Sequence, residues 1–408
     1  DSPVQDGAEH ATPQRLVIIG AGVAGVTAAE TAASIPGAEV VLISREPQLP
    51  YYRLNLTRYL AGEVDAAALE MKGDDWFAEN NVRLVYGEVT AVDRDARSVK
   101  LKDGTSHEYD KLIIAAGAHC FIPPFPGASR DGVFSLRTQK DADAIIAAAR
   151  TAKKVAVIGG GLLGLEVAGA LGNRNCEVSV IEGFGWLLPR QLPQRAGELL
   201  VDVLRQKKID VITKANTKEI VGDEAVRGVH LEDGRTIAAD LVVVSTGVRA
   251  NSYLARQCGL TVDRGIVVDD ALRTTDPNIY AAGDVCEHRG ISYGIWPASY
   301  IQGEIAAANA LGAAHTFEGM APSNRLKVLD ADVFSVGLIN PGDASATVYE
   351  FENSGVYRRL VVQDGILKGA VLVGDTAMAS QLQEAIDAGT RLTNWPALRA
   401  QFPCLENS

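Results

Sequence analysis

Two short glycine runs hold the first legible chemistry of this chain: Gly20-x-Gly22-x-x-Gly25 and Gly159-x-Gly161-x-x-Gly164. In such a run the first glycine makes a tight turn. The second lets the backbone approach a pyrophosphate, and the third lets the following helix pack closely on its strand. The helix N-terminus then offers unpaired N–H groups and partial positive charge to the phosphates. Each run is followed by an acid. Glu46 lies 26 residues after Gly20, in Ser-Arg-Glu-Pro, and Glu182 directly follows Val-Ser-Val-Ile. A carboxylate at Glu182 accepts from both ribose hydroxyls of NAD and repels the 2′-phosphate of NADP. No Arg or Lys follows it before Arg190, so NADH is expected over NADPH. Glu46 is read as a second ribose acceptor, with a solvated loop acid as the alternative.

A lone glycine run is a weak signal, and the elements around it decide its meaning. Arg15-Leu-Val-Ile-Ile19 is a short apolar run without alternation, the pattern of a buried parallel strand. It leads through the glycines into an Ala-rich helix to about Ser34 and a second strand, Glu39–Ile43. Lys154–Ile158, a helix through Leu165 to about Asn173, and Glu177–Ile181 repeat the plan about 140 residues later. Two copies at that distance are two domains rather than a solenoid. The repeat extends further. Arg83–Tyr86, Ser98–Leu101, a turn at Asp103-Gly104 and Lys111–Gly117 answer to Val211-Ile212, Gly228–Leu231, Asp233-Gly234 and Asp240–Gly247. From about residue 322 the pattern changes to alternating strands, such as Gly355–Val362, with Asp364-Gly365 as a hairpin turn.

Bulk properties bound the function. At roughly 100–200 residues per domain, 408 residues make two to four domains. The formal net charge of -12 argues against nucleic acid or an anionic membrane as a partner. No run approaches the length of a membrane span, and no signal peptide is visible, so a cytoplasmic location is expected. The chain opens Asp-Ser-Pro without an initiator Met and is read as trimmed or as a piece of a longer protein. Cys120, Cys176, Cys258, Cys286 and Cys404 form neither Cys-x-x-Cys nor Cys-x4-Cys. They are read as idle thiols in a reducing compartment, with no metal site.

With these motifs in place the chain resembles the FAD/NAD(P) pyridine nucleotide–disulfide oxidoreductase superfamily from about Arg15 to about Leu392. Ala115-Ala116-Gly117 and Ser245-Thr-Gly247 resemble its crossovers between nucleotide domains. Thr274-Thr-Asp-Pro-Asn-Ile-Tyr-Ala-Ala-Gly283-Asp284 resembles its second FAD fingerprint, whose Asp binds the ribityl and pyrophosphate region. The stretch Leu49–Gly62 has no Cys where the disulfide reductases carry theirs, so thiolate chemistry is not expected. It is similar instead to the Pro-Tyr-Tyr-Arg motif of NADH:rubredoxin oxidoreductases and of the flavin domain of NADH-dependent nitrite reductases. It departs from them at Thr57 and Arg58, where Ser and Lys or His are common. Arg58 keeps a positive charge near the flavin with a different geometry. Gly164-Leu-Glu166 resembles the motif whose carboxylate touches the nicotinamide amide, and Leu187–Leu192 resembles a loop over the NADH site. Trp296 and Pro297 open a helix aimed at the flavin, with Trp296 at the flavin edge or in interdomain core.

The resemblance implies an α/β fold: two Rossmann-like three-layer dinucleotide-binding domains of glutathione-reductase-like type, plus a C-terminal α+β domain. The expected boundaries are a disordered tail 1–13, a discontinuous FAD-binding domain 14–119 and 248–321, an NADH-binding domain 120–247, and a C-terminal domain 322–408. Glu166 and Arg58 are the candidate catalytic residues. The candidate cofactor set is Gly20, Gly22, Ala24, Gly25, Glu46, Arg53, Val89, Ala116, Gly117, Gly283, Asp284 and Trp296 for FAD. For NADH it is Gly159, Gly161, Leu163, Gly164, Glu182 and Gly247.

The implied reaction is hydride transfer from NADH to FAD, the cofactors supplying the chemistry and the protein position and field. Onward release of single electrons suits a small carrier of rubredoxin type. The alternatives are the flavin module of a nitrite reductase-like assembly with a fused redox domain, a thiol-independent NADH oxidase, and a low-turnover redox-sensing flavoprotein. Because such carriers are often acidic, docking would need a basic patch. Arg325 and Lys327, with Arg53 and Arg58, are its candidates, and scattered solvated charges are the competing reading. Monomer and homodimer both fit the sequence.

Overall fold

The computed structural model describes residues 14–328, 331–342 and 345–391. The expected tail 1–13 and Cys404 lie outside the described residues. Contacts divide the chain into two compact units. The first draws on the chain up to Tyr52, on Glu70–His119 and on Arg249–Gly319. The second draws on Arg53–Leu69, on Cys120–Val248 and on the chain from Met320. The sequence reading had drawn Arg53–Leu69 with the first half.

The first unit is built on a five-stranded parallel sheet. Gln14–Ile19 sits in the centre, with Ala38–Ser44 and then Val82–Tyr86 on one side and Lys111–Ile114 and then Ile279–Ala281 on the other. Leu16, Ile18, Leu42, Leu112, Ile113 and Ile114 are fully buried. A strand covered on both faces has no side to leave polar, which is why these segments read as unbroken apolar runs. The Val23–Ala33 helix follows the first strand and packs against the Trp296–Ala310 helix. Small residues allow that approach: a Cβ at Gly303 would stand 2.3 Å from the Ala24 carbonyl oxygen. Gly303→Val is therefore expected to cost about 2–3 kcal/mol through overpacking, read as a lower denaturation midpoint of the flavin-loaded protein. An unchanged midpoint would mean that the two helices slide apart freely.

The second unit repeats the sheet. Lys154–Ile158 is central, flanked by Glu177–Ile181 and Ile209–Ile212 on one side and by Leu241–Val244 and Val133–Phe134 on the other, all parallel. Each half carries a three-stranded antiparallel sheet, Val89–Asp93 to Ser106–Glu108 in one and Thr217–Gly222 to Thr236–Ala238 in the other.

The second unit also holds a five-stranded antiparallel sheet from Ser323 to Val373, covered by the Ala379–Asp387 helix. Its hairpins turn on Ser354-Gly355 and Asp364-Gly365, with φ of 50°, 84°, 53° and 75°. Two consecutive left-handed residues match the twist of paired strands, so Asp-Gly was a readable signal. Ser354-Gly355, unread in the sequence, has the same geometry. Among the described residues no helix is long and apolar enough to cross a membrane.

Candidate functional site

In the first unit the glycines of the turn have separate reasons. Gly20 has φ +104°, and a Cβ on it would lie 2.2 Å from the Ala115 carbonyl oxygen. A Cβ on Gly25 would lie 1.8 Å from the Gly20 oxygen. The fold therefore demands glycine at both. Gly22 is different: its φ is -79° and nothing lies within 4 Å of an added Cβ. Any residue fits the backbone there, so glycine serves a space that the protein itself leaves open.

The remaining candidates of this unit gather around the same helix start. Ala24 is buried in the first turn. Gly283, at φ +82°, would place a Cβ 3.0 Å from the Ala24 Cβ, which brings the turn carrying half-buried Asp284 beside it. Gln302 anchors that turn, its Oε1 accepting from the Gly283 N–H at 2.8 Å and from the Cys286 thiol at 3.2 Å. Burial, and then the charge of Asp284, pushes the Cys286 thiol up to about 12. Such a thiol stays protonated and unreactive. Burial likewise raises Cys120, Cys176 and Cys258.

Glu46 accepts at Oε2 from the Tyr51 hydroxyl at 2.6 Å and from Gln48 Nε2 at 3.1 Å, so the carboxylate is oriented rather than loose in solvent. Asn251 ties the crossover, its Nδ2 donating to the Ala116 oxygen at 2.7 Å and its N–H to Gly117 at 2.9 Å. Val89 begins its strand against the unit's core. Trp296 opens its helix and stacks on Tyr300 at 5.2 Å and 22°. Its indole N–H is buried with no acceptor among the described residues. A buried donor without a partner is costly, and a flavin carbonyl is the kind of acceptor it lacks.

The second unit repeats the turn. Gly159 has φ +112° with a Cβ position 2.1 Å from the Ser245 oxygen, and Gly164 would meet the Gly159 oxygen at 2.1 Å. Gly161, at φ -79°, again meets nothing within 4 Å. Leu163 stands half-buried in the first helical turn. Gly247, at φ +107°, accepts from the Phe121 N–H at 2.9 Å. Glu182 is held through both carboxylate oxygens, Oε2 by the Gly160 N–H at 2.8 Å and Oε1 by the Phe184 N–H at 2.7 Å. Each oxygen keeps lone pairs for further donors. The open space at both middle glycines fits a dinucleotide phosphate in each turn.

Arg53–Leu69 brings three further residues to this unit. The Leu56–Ala61 helix packs on the Leu162–Asn173 helix. There buried Thr57 donates to Glu166 Oε2 at 3.3 Å. Burial pushes the Glu166 carboxyl up to about 7, opposed by the Thr57 hydroxyl. Arg58, the cation expected near the flavin, is ion-paired with Glu63 at 3.3 Å and half exposed. Its chain neighbour Thr57 supplies a hydrogen bond to Glu166. Arg53 donates to the Arg137 carbonyl at 2.8 Å. Arg325 lies over the Phe334 ring and donates to Ser380.

Sequence reasoning gave no role to Gln302, Asn251 or Phe184. Gln302 and Asn251 act on backbone groups far along the chain, which no local pattern announces. Phe184 had a signal in its place two residues after Glu182, between two glycines.

Comparison with known proteins shows what the chain is similar to. The family described as pyridine nucleotide-disulphide oxidoreductase matches residues 14–310, and the rubredoxin NAD+ reductase C-terminal domain matches residues 322–390. A nitrite reductase, NAD(P)H, of Bacillus subtilis is 39% identical over 374 residues, covering 90% of this chain and 46% of that protein. An NADH-rubredoxin oxidoreductase of Clostridium acetobutylicum is 30% identical over 387 residues, covering 95% and 98%. The crystal structure of NADH:rubredoxin oxidoreductase from that organism aligns with a TM-score of 0.82 at 30% identity, over 96% of this chain and 100% of the other. The chain spans about half the length of the first curated relatives it matches, 46% and 49% for two from B. subtilis.

Proposed function

This chain belongs to the pyridine nucleotide-disulphide oxidoreductase family, and on that premise we propose that it is an FAD-dependent NADH oxidoreductase passing electrons to a small redox carrier, rubredoxin first. The observation that carries the reading is the pair of middle glycines, Gly22 and Gly161. Neither is required by backbone angle or by packing, and a pyrophosphate in each turn gives both a reason.

In this reading residues 14–119 and 248–321 hold FAD. Gly20, Gly22, Ala24 and Gly25 cradle its phosphates, Glu46 faces ribose, and Asp284 takes the ribityl region. Ala116, Gly117 and Val89 line the site, and the Trp296 indole offers its unpaired N–H. Residues 120–247 hold NADH. Gly159, Gly161, Leu163 and Gly164 take its pyrophosphate, Glu182 its adenosine ribose, and Glu166 its nicotinamide amide, with Gly247 at the crossover. Arg53 and Arg58 stand on the segment packed against the Glu166 helix. The FAD, when bound, supplies hydride acceptance from NADH and onward release of electrons. The protein needs no general acid or base for the first half; Glu166 orients. Residues from 322 form a C-terminal module. A cytoplasmic location, where NADH is supplied and thiols stay reduced, belongs to this reading.

A second reading has its own observation. Because the B. subtilis nitrite reductase is about twice as long, the chain would be the flavin module of a longer assembly whose other domains take the electrons. Anaerobic stopped-flow mixing with NADH, then with rubredoxin, separates the readings. The flavin absorbance is expected to bleach with NADH and return with rubredoxin. Bleaching that rubredoxin leaves unchanged favours the longer assembly. A flavin that NADH never bleaches ends both.

A further inference from the structure

We propose that Phe184 is the platform on which the adenine of NADH stacks in the second turn. This rests on reading that turn as the NADH site. Phe184 is 52% exposed, an apolar ring left largely in water. Its backbone is held on both sides and its ring meets one neighbour. Its N–H donates to Glu182 Oε1 at 2.7 Å, and its carbonyl accepts from the Lys214 N–H at 2.8 Å. Its ring meets Trp186 edge to face at 5.2 Å and 87°. Trp186 is fixed in turn: its Nε1 donates to the Leu192 carbonyl at 3.2 Å, and a Cβ on Gly197 would lie 2.4 Å from its ring. Leu187, Leu188 and Leu192 are fully buried beneath the same loop.

The neighbours of Phe184 in the chain are Gly183 and Gly185, so no adjacent side chain covers the ring. The carboxylate that orients its backbone is the one assigned to the adenosine ribose. An aromatic face beside a ribose acceptor fits a purine, whose π-face stacks on such a ring. The nicotinamide end belongs to Glu166, on the helix that follows the glycine turn.

The test is calorimetric titration of the FAD-loaded protein, in which the first turn is already filled, with 5′-AMP and with nicotinamide mononucleotide. Phe184→Ala is expected to weaken 5′-AMP about tenfold and leave the mononucleotide unchanged, while Phe184→Trp keeps wild-type affinity for both. Glu182→Ala is the control for the site. If Glu182→Ala weakens 5′-AMP and Phe184→Ala does not, the platform assignment is overturned and the NADH site stands. If neither variant changes 5′-AMP affinity, both are overturned.

Discussion

Gly161→Val is expected to yield a folded protein that keeps its flavin and is no longer reduced by NADH. The backbone at Gly161 has φ -79°, and nothing lies within 4 Å of an added Cβ, so the fold has room for a branched side chain to begin there. That side chain fills the space through which a pyrophosphate approaches the helix N-terminus. A fall of at least about 100-fold in kcat/KM for NADH is expected, roughly 2.7 kcal/mol of lost binding. The flavin spectrum and thermal midpoint should match the wild type. Gly22→Val is the mirror case, expected to purify as a folded protein without flavin. Gly25→Ala and Gly164→Ala differ from both, because their Cβ atoms would stand 1.8 Å and 2.1 Å from backbone oxygens. They should fail in folding before they fail in binding. Wild-type reduction rates in Gly161→Val would remove the second turn from the NADH site.

Glu166→Gln is expected to make the protein more stable at pH 8 and to leave it nearly unchanged at pH 4. Burial raises the Glu166 carboxyl to about 7, whereas an unfolded glutamate titrates near 4.3. Between these values the folded state holds a proton that the unfolded state has released. Stability therefore falls as pH rises from about 4.3 to about 7, and the whole cost is present above 7. The shift corresponds to at most about 4 kcal/mol. Glutamine keeps the shape and the Thr57 contact without the charge. Denaturation midpoints at both pH values decide the matter. A gain of equal size at pH 4 and pH 8 would mean that charge is not the cause. The wild-type affinity for NADH is expected to change with pH around 7, and the variant to lack that change, both measured as Kd by anaerobic titration.

How much of this was legible from residues alone depends on the range of the interaction. The two glycine turns were readable because each is local: a turn, a helix start and a buried strand within about twenty residues, written in residues that only such a backbone requires. The doubled sheet followed, since an apolar run without alternation is what a strand covered on both faces needs. The Asp364-Gly365 hairpin was readable for the same reason, as both residues adopt left-handed angles. The motif already assigned each glycine its own cause, without naming the atoms that each one meets. Only the folded chain shows that Gly20 and Gly25 are held by backbone oxygens and that Gly22 is not.

The rest required contacts between distant segments. Packing of a six-residue helix from Leu56 to Ala61 put Thr57 against Glu166, 109 positions away, a contact that the motif at Leu49–Gly62 did not announce. Gln302 anchors Gly283 and Cys286 from another helix, and Asn251 fastens Ala116 and Gly117. Side-chain type fixes what a residue can donate or accept, and that much the sequence by itself determined. Which partner it meets, and whether water is excluded around the pair, is set by the tertiary packing of segments that share no local pattern. That packing alone turned Glu166 from an ordinary acid into one poised near neutrality.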